Sequence, residues 1–447
     1  MKIDPLPPAP PANDPHDARF WDARDLEHEM RRVFEICHGC RMCVNYCGTF
    51  PDVFAHVDRD IETKGTAGAE ALGAADFTSA TDLCWQCKLC YIKCPYTVDE
   101  GHEWRVDVPR LLMREKANRA RRNGVTLQDK VLGEPQTIGW LGSGVTAPVA
   151  NFVNTSRLLR KVTEKVAGIS SKFPLPPAAG QPFERWLAHH DPLPEAGTAG
   201  EIALFATCTG DYNFPGVPAN AVRVLEKNGF KVRRPDQTCC GMPNLDGGDL
   251  EAAIAKAKLN VDSLVREVDK GRKVVVVQPT CAYTIKKEWP ELLGTPEARR
   301  VAASTLDVME LLDLLRKEKR LNRDFTKGFG KIAYHAACHL RAQKIGVPGA
   351  RILGLLPDTE VEVIEQCSAV DGTWGMKAEY YELGRKYAQK LVRAVNGAEA
   401  KRVVSDCSLA GLRIQRENGV AVQHPIEAVA EAYGLALGSG GSAGAGT

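Results

Sequence analysis

The residues best suited to chemistry are the cysteines, fifteen in a chain of 447. Eight lie between positions 37 and 94, none between 95 and 207, and seven at 208, 239, 240, 281, 338, 367 and 407. The first eight form two matching runs, Cys37-x2-Cys40-x2-Cys43-x3-Cys47 and Cys84-x2-Cys87-x2-Cys90-x3-Cys94-Pro95. Three thiolates spaced by two residues wrap one face of a [4Fe–4S] cube, and the fourth of each run reaches the other cube. Cys37, Cys40, Cys43 and Cys94 are therefore expected to hold one cluster, and Cys84, Cys87, Cys90 and Cys47 the other. Gly48 stands where the first run would carry proline, which leaves the ligand count intact. Two zinc sites built from CxxC pairs are the competing reading, but zinc takes four ligands per site and gives no reason for the third step of each run. Crossed ligation also keeps two clusters close, which suits electron relay.

The seven later cysteines follow a duplicated pattern. Strand-like EIALFAT ends at Cys208 and strand-like KIAYHAA at Cys338. After Cys208 come a helical pattern, a short strand, Cys239-Cys240, a second helical pattern, the strand KVVVVQPT and Cys281. The second half repeats this order through VEVIEQC, the helical GMKAEYYELGRKYAQKLVRAV and RVVSDC. The offsets are 130 (208 to 338), 127 (240 to 367) and 126 (281 to 407). Strands alternating with long helices mean parallel α/β units. Cysteines just past strand ends lie where such sheets gather their ligands.

Cys208, Cys239-Cys240-Gly241 and Cys281 resemble the CCG motif of a cysteine-rich domain. That domain occurs in heterodisulfide reductase B- and D-type subunits, in the C subunit of anaerobic glycerol-3-phosphate dehydrogenase, and in related lactate and glycolate oxidase iron–sulfur subunits. YHAACHLRAQKIG (334–346) and QCSAVDGTWG (366–375) resemble the same family, and the likeness spans 30–435. A ferredoxin-like domain followed by two CCG repeats is most similar to the glycerol-3-phosphate dehydrogenase C-type and heterodisulfide reductase D-type layout. The sequence departs from the family at Thr284, Gln366 and Ala410, which stand at cysteine positions. Four thiolates still satisfy an iron–sulfur cube, so a third cluster is expected on Cys208, Cys239, Cys240 and Cys281. For Cys338, Cys367 and Cys407 three outcomes stay open: a cluster with an incomplete thiolate shell, a mononuclear metal helped by His335 or His339, or an empty remnant. Packing and hydrogen bonding beside a strand end is the plain reading of both histidines.

These groups need elements to carry them. The fold expected is α/β, an α-helical ferredoxin-like cluster domain ahead of pseudo-twofold duplicated α/β CCG repeats. The divisions expected are a disordered arm over 1–29, the cluster domain over 30–104, and a basic connector over 105–199. Repeats over 200–325 and 326–437 and a flexible tail over 438–447 follow. The small, polar stretch ETKGTAGAEALGAADF between the two cysteine runs is expected to be a surface insertion.

Between Arg105 and Lys172 there are 13 Lys/Arg and 5 Asp/Glu, a local +8 in a chain of net charge +2. So small a total charge gives no field for nucleic acid. The uncharged residues 135–156 read as a loop. Phe152, Thr155, Leu159, Val162 and Val166 then form a stripe at helical spacing, with Arg157, Arg160, Lys161 and Lys165 largely off it. Such a basic amphipathic helix either lies on an anionic membrane surface, a peripheral contact through 136–166, or packs on the cluster domains or a partner with a solvated basic face. No apolar run reaches 18 residues and no h-region opens the chain, so the location expected is the cytoplasm, extending to the inner face of the membrane. Fifteen thiols in a reducing compartment point to metal ligation.

No G-x-G-x-x-G joins a strand to a helix, and G-W-L-G-S-G (139–144) has the wrong order, so no flavin or nicotinamide is expected in this chain. No catalytic side chain is assigned. The combined reading is the iron–sulfur electron-transfer subunit of an oxidoreductase, relaying electrons between a flavoprotein dehydrogenase partner and a quinone or other acceptor, with substrate chemistry on the partner. A heterodisulfide-reductase-like thiol/disulfide reductase at the C-terminal cluster and a redox-sensing scaffold are the alternatives.

Overall fold

The structure, a computed structural model, describes residues 3–65, 68–370 and 372–437. The tail expected over 438–447 lies outside the described residues. Two units form, residues 1–130 with 243–251, and residues 131–242 with 252–447.

The first unit is helical: α1 (Ala23–Cys40), α2 (Thr49–Lys64), α3 (Ala74–Asp82), α4 (Leu89–Lys93) and α5 (Val108–Asn123). Asp22 starts α1 by accepting from the backbone N–H groups of Arg24 and Asp25, and Arg41 ends it in the left-handed conformation. The face between buries Leu26, Met30, Val33 and Phe34, residues at the three- and four-residue steps of a core-facing helix.

Two segments differ from the sequence reading. The chain ahead of α1 is tied down rather than loose. Phe20 is buried, and its carbonyl accepts from Arg114 Nε (2.8 Å) and Asn118 Nδ2 (2.8 Å). Buried Arg32 donates to the carbonyl of Pro5 as well as that of Trp104. Buried guanidinium groups require acceptors, and the proline-rich stretch supplies them. The expected surface insertion is also internal in part: Ala69 and Leu72 are buried, and the Ala69 N–H donates to Glu35 Oε2 at 2.7 Å. Gly68 (φ 84°) makes this approach, since a Cβ there would stand 2.0 Å from Glu35 Oε2. α5, assigned from sequence to the connector, packs within this unit, where Arg119 pairs with Asp82 of α3.

In the second unit two parallel sheets repeat one topology. β1 (Gly200–Phe205), β2 (Phe230–Arg233), β3 (Lys273–Val276) and β4 (Thr305–Asp307) run in the order β2-β1-β3-β4. β5 (Gly330–His335), β6 (Thr359–Ile364), β7 (Arg402–Ser405) and β8 (Val422–Gln423) run in the order β6-β5-β7-β8. The duplication holds to the residue: Ile202 pairs with Lys273 and Ile332 with Arg402. The two repeats share one hydrophobic core, to which Leu204, Val275 and Leu312 contribute from the first and Ile332, Ile352 and Val404 from the second. Asp313 of the first repeat accepts from Arg351 of the second at 2.8 and 3.0 Å.

The connector continues as α6 (Leu127–Leu132), α7 (Pro135–Gly142), α8 (Ala147–Thr155) and α9 (Arg157–Ala167). Residues 135–156, expected to be a loop, are therefore mostly helical. Pro135 and Pro148 sit in the first turns of α7 and α8, where proline is tolerated. The single stripe expected across 152–166 is broken at Ser156, whose hydroxyl caps α9. This break resets the phase. Arg160 turns inward, 4% exposed, and donates to the carbonyls of Ser170 and Phe173, while Leu158 (72%), Val162 (52%) and Val166 (67%) face out. Among the described residues no helix is long and apolar enough to cross a membrane.

Candidate metal centres

The first unit gathers its eight thiols as two crossed quartets. Cys37 and Cys40 lie on the last turn of α1, Cys43 in the turn beyond it and Cys94 just after α4. They line a hollow of about 450 Å³, its mouth included, with apolar walls from Ile36, Phe50, Phe54 and Val106. Burial drives the Cys37 thiol pKa well up, and charge on Cys94, Cys43 and Cys40 drives it further. Cys43 is pushed up to about 12 by burial and then by Cys94 and Cys40. A second hollow is lined by Cys47, Cys84, Cys87 and Cys90. Cys47 is pushed up to about 12 by burial and by Cys84, against backbone N–H groups of Thr49 and Phe50 that favour the thiolate. Cys90 lines both hollows, so the two quartets adjoin.

Such groupings fit a metal–sulfide core. Buried neighbouring thiols resist ionisation as they stand, and a cationic core in their midst replaces the protons. Among the described residues no three His, Cys, Asp or Glu side chains converge as ligands of a single ion would.

In the second unit every remaining cysteine lies beyond a strand's C-terminal end. Cys208 opens the short helix after β1, Cys239 and Cys240 follow β2, and Cys281 lies on the helix 279–283 after β3. All four are buried, and the sulfurs of Cys208 and Cys239 stand 3.9 Å apart. Hydrogen bonds from Cys208 and Cys240 favour the Cys239 thiolate and hold its pKa well down, while those same bonds and burial raise Cys208 and Cys240. Trp289 Nε1 donates to the Cys240 carbonyl at 2.9 Å and fixes that loop. Thr284, at a family cysteine position, turns its hydroxyl back to the Thr280 carbonyl at 2.8 Å.

The second repeat places Cys338 after β5, Cys367 after β6 and Cys407 after β7, each partly exposed. The Ala369 N–H donates to Cys367 Sγ at 3.2 Å. Gln366 is exposed, and Ala410, which has no donor atom, is buried in helix 408–418. Both ring nitrogens of His335 are taken, by Ser405 Oγ at 2.8 Å and the Gln366 carbonyl at 3.1 Å, and burial lowers its pKa to about 4. That ring has no nitrogen turned to a metal. His339 Nδ1 meets Thr280 Oγ1 at 3.0 Å and its ring stacks on Tyr283, which joins the Cys338 helix to the Cys281 helix of the other repeat.

Sequence reasoning missed the polar groups around these thiols. Gln86 Nε2 donates to Cys84 Sγ at 3.4 Å, and Gln278 Nε2 donates to Ser408 Oγ at 2.7 Å across the two repeats. Their places inside or beside the cysteine motifs were visible, but the direction of their side chains was not.

Comparison with known proteins follows the same division. Residues 29–122 match the citrate utilization protein B Fer4-like domain, and residues 202–286 and 332–415 match the cysteine-rich CCG domain. The chain is thus an iron–sulfur protein with one Fer4-like domain and two CCG domains. It is homologous to the C subunit of anaerobic glycerol-3-phosphate dehydrogenase of Escherichia coli (strain K12), 27% identical over 322 residues, 69% of this chain and 77% of that protein. It also matches lactate utilization protein A of Geobacillus kaustophilus (strain HTA426), 29% identical over 221 residues, 46% of this chain and 87% of that protein. The glycolate oxidase iron-sulfur subunit of Escherichia coli (strain K12) is 22% identical over 429 residues, 92% of this chain and 96% of that protein. Two of these relatives are named as subunits, one of a dehydrogenase and one, an iron-sulfur subunit, of an oxidase, which supports an electron-transfer role.

Proposed function

We propose that the chain is the electron-transfer subunit of a flavin-dependent dehydrogenase that oxidises a small substrate. It would carry two [4Fe–4S] clusters in the helical unit, on Cys37, Cys40, Cys43 and Cys94 and on Cys84, Cys87, Cys90 and Cys47. A third iron–sulfur cluster would sit on Cys208, Cys239, Cys240 and Cys281. The observation that carries this reading is the gathering of eight thiols into two adjoining crossed quartets. When bound, the clusters supply one-electron carriers; the chain's own contribution is to hold them close, exclude water and donate hydrogen bonds to sulfur. The electron source would be a flavoprotein partner and the acceptor a quinone.

A quinone acceptor calls for a membrane, and the connector supports contact with one. Nine of the seventeen exposed large apolar side chains among the described residues lie between Ile138 and Val166. On α9, Leu158, Val162 and Val166 recur every four residues, beside the exposed basic row Arg157, Lys161 and Lys165. An apolar row flanked by cations suits the boundary of an anionic bilayer. The complete reading is tested by reducing the purified chain with its flavoprotein partner and substrate, then reoxidising it with a water-soluble quinone. Cluster signals that neither appear nor decay on the timescale of turnover would refute it.

The openness of the Cys338, Cys367 and Cys407 set favours one second reading, a thiol/disulfide reductase acting where a cluster iron lacks a protein ligand. Turnover of a disulfide by the chain with a chemical reductant alone distinguishes it from the relay.

A further inference from the structure

The two quartets of the helical unit begin from one spacing and end in different surroundings. In the second run Gln86 Nε2 donates to Cys84 Sγ at 3.4 Å, and Lys88 Nζ donates to Gln86 Oε1 at 2.8 Å. Lys88 is 3% exposed, and both residues line the hollow of their quartet. The fourth ligand, Cys47, receives the Thr49 and Phe50 N–H groups from the first turn of α2. The positive end of a sixteen-residue helix therefore faces this quartet.

The first run has Gly39 and Arg41 at the positions of Gln86 and Lys88. Gly39 offers no side chain. Arg41 shares the left-handed backbone of Lys88 (φ 52° and 63°), but its side chain is 46% exposed and paired with Asp58. α1 ends on Cys40, so the negative end of an eighteen-residue helix faces this quartet. Its sulfur donors come from Tyr96, the N–H to Cys94 and the hydroxyl to Cys40. The nearby buried Arg32 is paired with Glu29, and what remains of its charge favours the Cys37 thiolate.

We infer that the cluster on Cys84, Cys87, Cys90 and Cys47 has the higher reduction potential of the pair, and that Lys88 and Gln86 are the positioning residues that set it. Reduction adds one negative charge, which a lysine, amide donors to sulfur and a helix N-terminus all stabilise. Water reaches the first quartet more readily and works the other way, because Cys37, Cys40, Cys43 and Cys94 are all partly exposed while in the second quartet Cys90 is partly exposed and Cys47, Cys84 and Cys87 are buried. The same dryness strengthens the lysine and the amide donors. The two helix ends, opposite in sign, act in the same direction as Lys88. The sum favours the second cluster, where the first electron to enter the helical unit settles.

The inference rests on both clusters being present, and its test separates the two failures. The full chain, prepared anaerobically, is titrated with dithionite at set potentials and followed by EPR. Cys84→Ser and Cys37→Ser each mark one wave. The expected order puts the Cys84-linked wave first as the potential falls. Lys88→Met lowers that wave by ~59 mV, a tenfold change in its reduced-to-oxidised ratio for one electron. Lys88→Arg restores it, and Arg41→Met leaves it in place. The inference is overturned if the Cys37-linked wave comes first, or if Lys88→Met with full iron and sulfide moves neither wave. Should Lys88→Met fail to keep its clusters, Gln86→Leu carries the same expectation, and the order of waves in the wild type needs no variant at either residue. Absence of iron and sulfide from the wild type would instead bring down the proposed function.

Discussion

Cys47 and Cys94 each close one cysteine run in sequence and join the quartet of the other in space. Exchanging Cys94 for serine should therefore disturb the cluster of Cys37, Cys40 and Cys43, and leave that of Cys84, Cys87 and Cys90 intact. EPR of the reduced variant checks this, since uncrossed ligation would alter the second signal instead. His424 carries a prediction about acid. Its buried ring accepts from the Ile426 N–H at 3.2 Å and caps the helix 425–432, and burial lowers its pKa to about 3. The unfolded chain takes up this proton near pH 6.5, while the folded chain refuses it until about pH 3, so stability falls with pH across that window. Between pH 7.5 and 5.5 the loss is about 1.4 kcal/mol. His424→Asn keeps a capping acceptor without titrating, and should lack that slope in unfolding curves. Asp406, raised to about 8 chiefly by burial, slopes the other way, but both proteins keep it and the comparison removes it. Spacing alone made the ligand quartets legible as expectations. Gln86 and Lys88 lay inside a recognised motif and still went unread, because their direction depends on left-handed backbone that the sequence does not display.

At the scale of elements, strand-then-cysteine order in both halves was legible because buried parallel strands write themselves as Val- and Ile-rich runs. The connector was not. Its uncharged composition suggested a loop, and its stripe was counted straight through Ser156, where a cap resets the helical phase. α7 packs on the helix that begins with Cys208: a Cβ on Gly139 would stand 2.8 Å from Tyr212 Cβ. Gly139→Leu should cost roughly 1–3 kcal/mol by overpacking and loosen iron held by the first CCG repeat before iron in the helical unit. Iron analysis after mild chelation checks the order of loss. On α9, the triple change Leu158→Glu, Val162→Glu and Val166→Glu should remove most binding to anionic vesicles. These exposed positions should shift unfolding by no more than ~0.5 kcal/mol each. Vesicle flotation that is unchanged by the triple variant would leave α9 with no part in membrane contact.

In the molecule as a whole, each of the two units holds its own set of thiols, and in the second unit two CCG repeats share one core. The duplication was legible from three nearly constant offsets. The shared core was not, because nothing in a single sequence states that Leu204 and Ile352 meet the same interior. The repeats should accordingly unfold together, with Asp313 and Arg351 among their ties, and not as two separate domains. Everything functional depends on iron and sulfide filling the quartets. The most direct measurement is iron and acid-labile sulfide per chain in anaerobically purified protein. The prediction is about eight of each from the twin runs, rising to about twelve with the cluster of the first CCG repeat. A colourless protein holding zinc and no sulfide would contradict it.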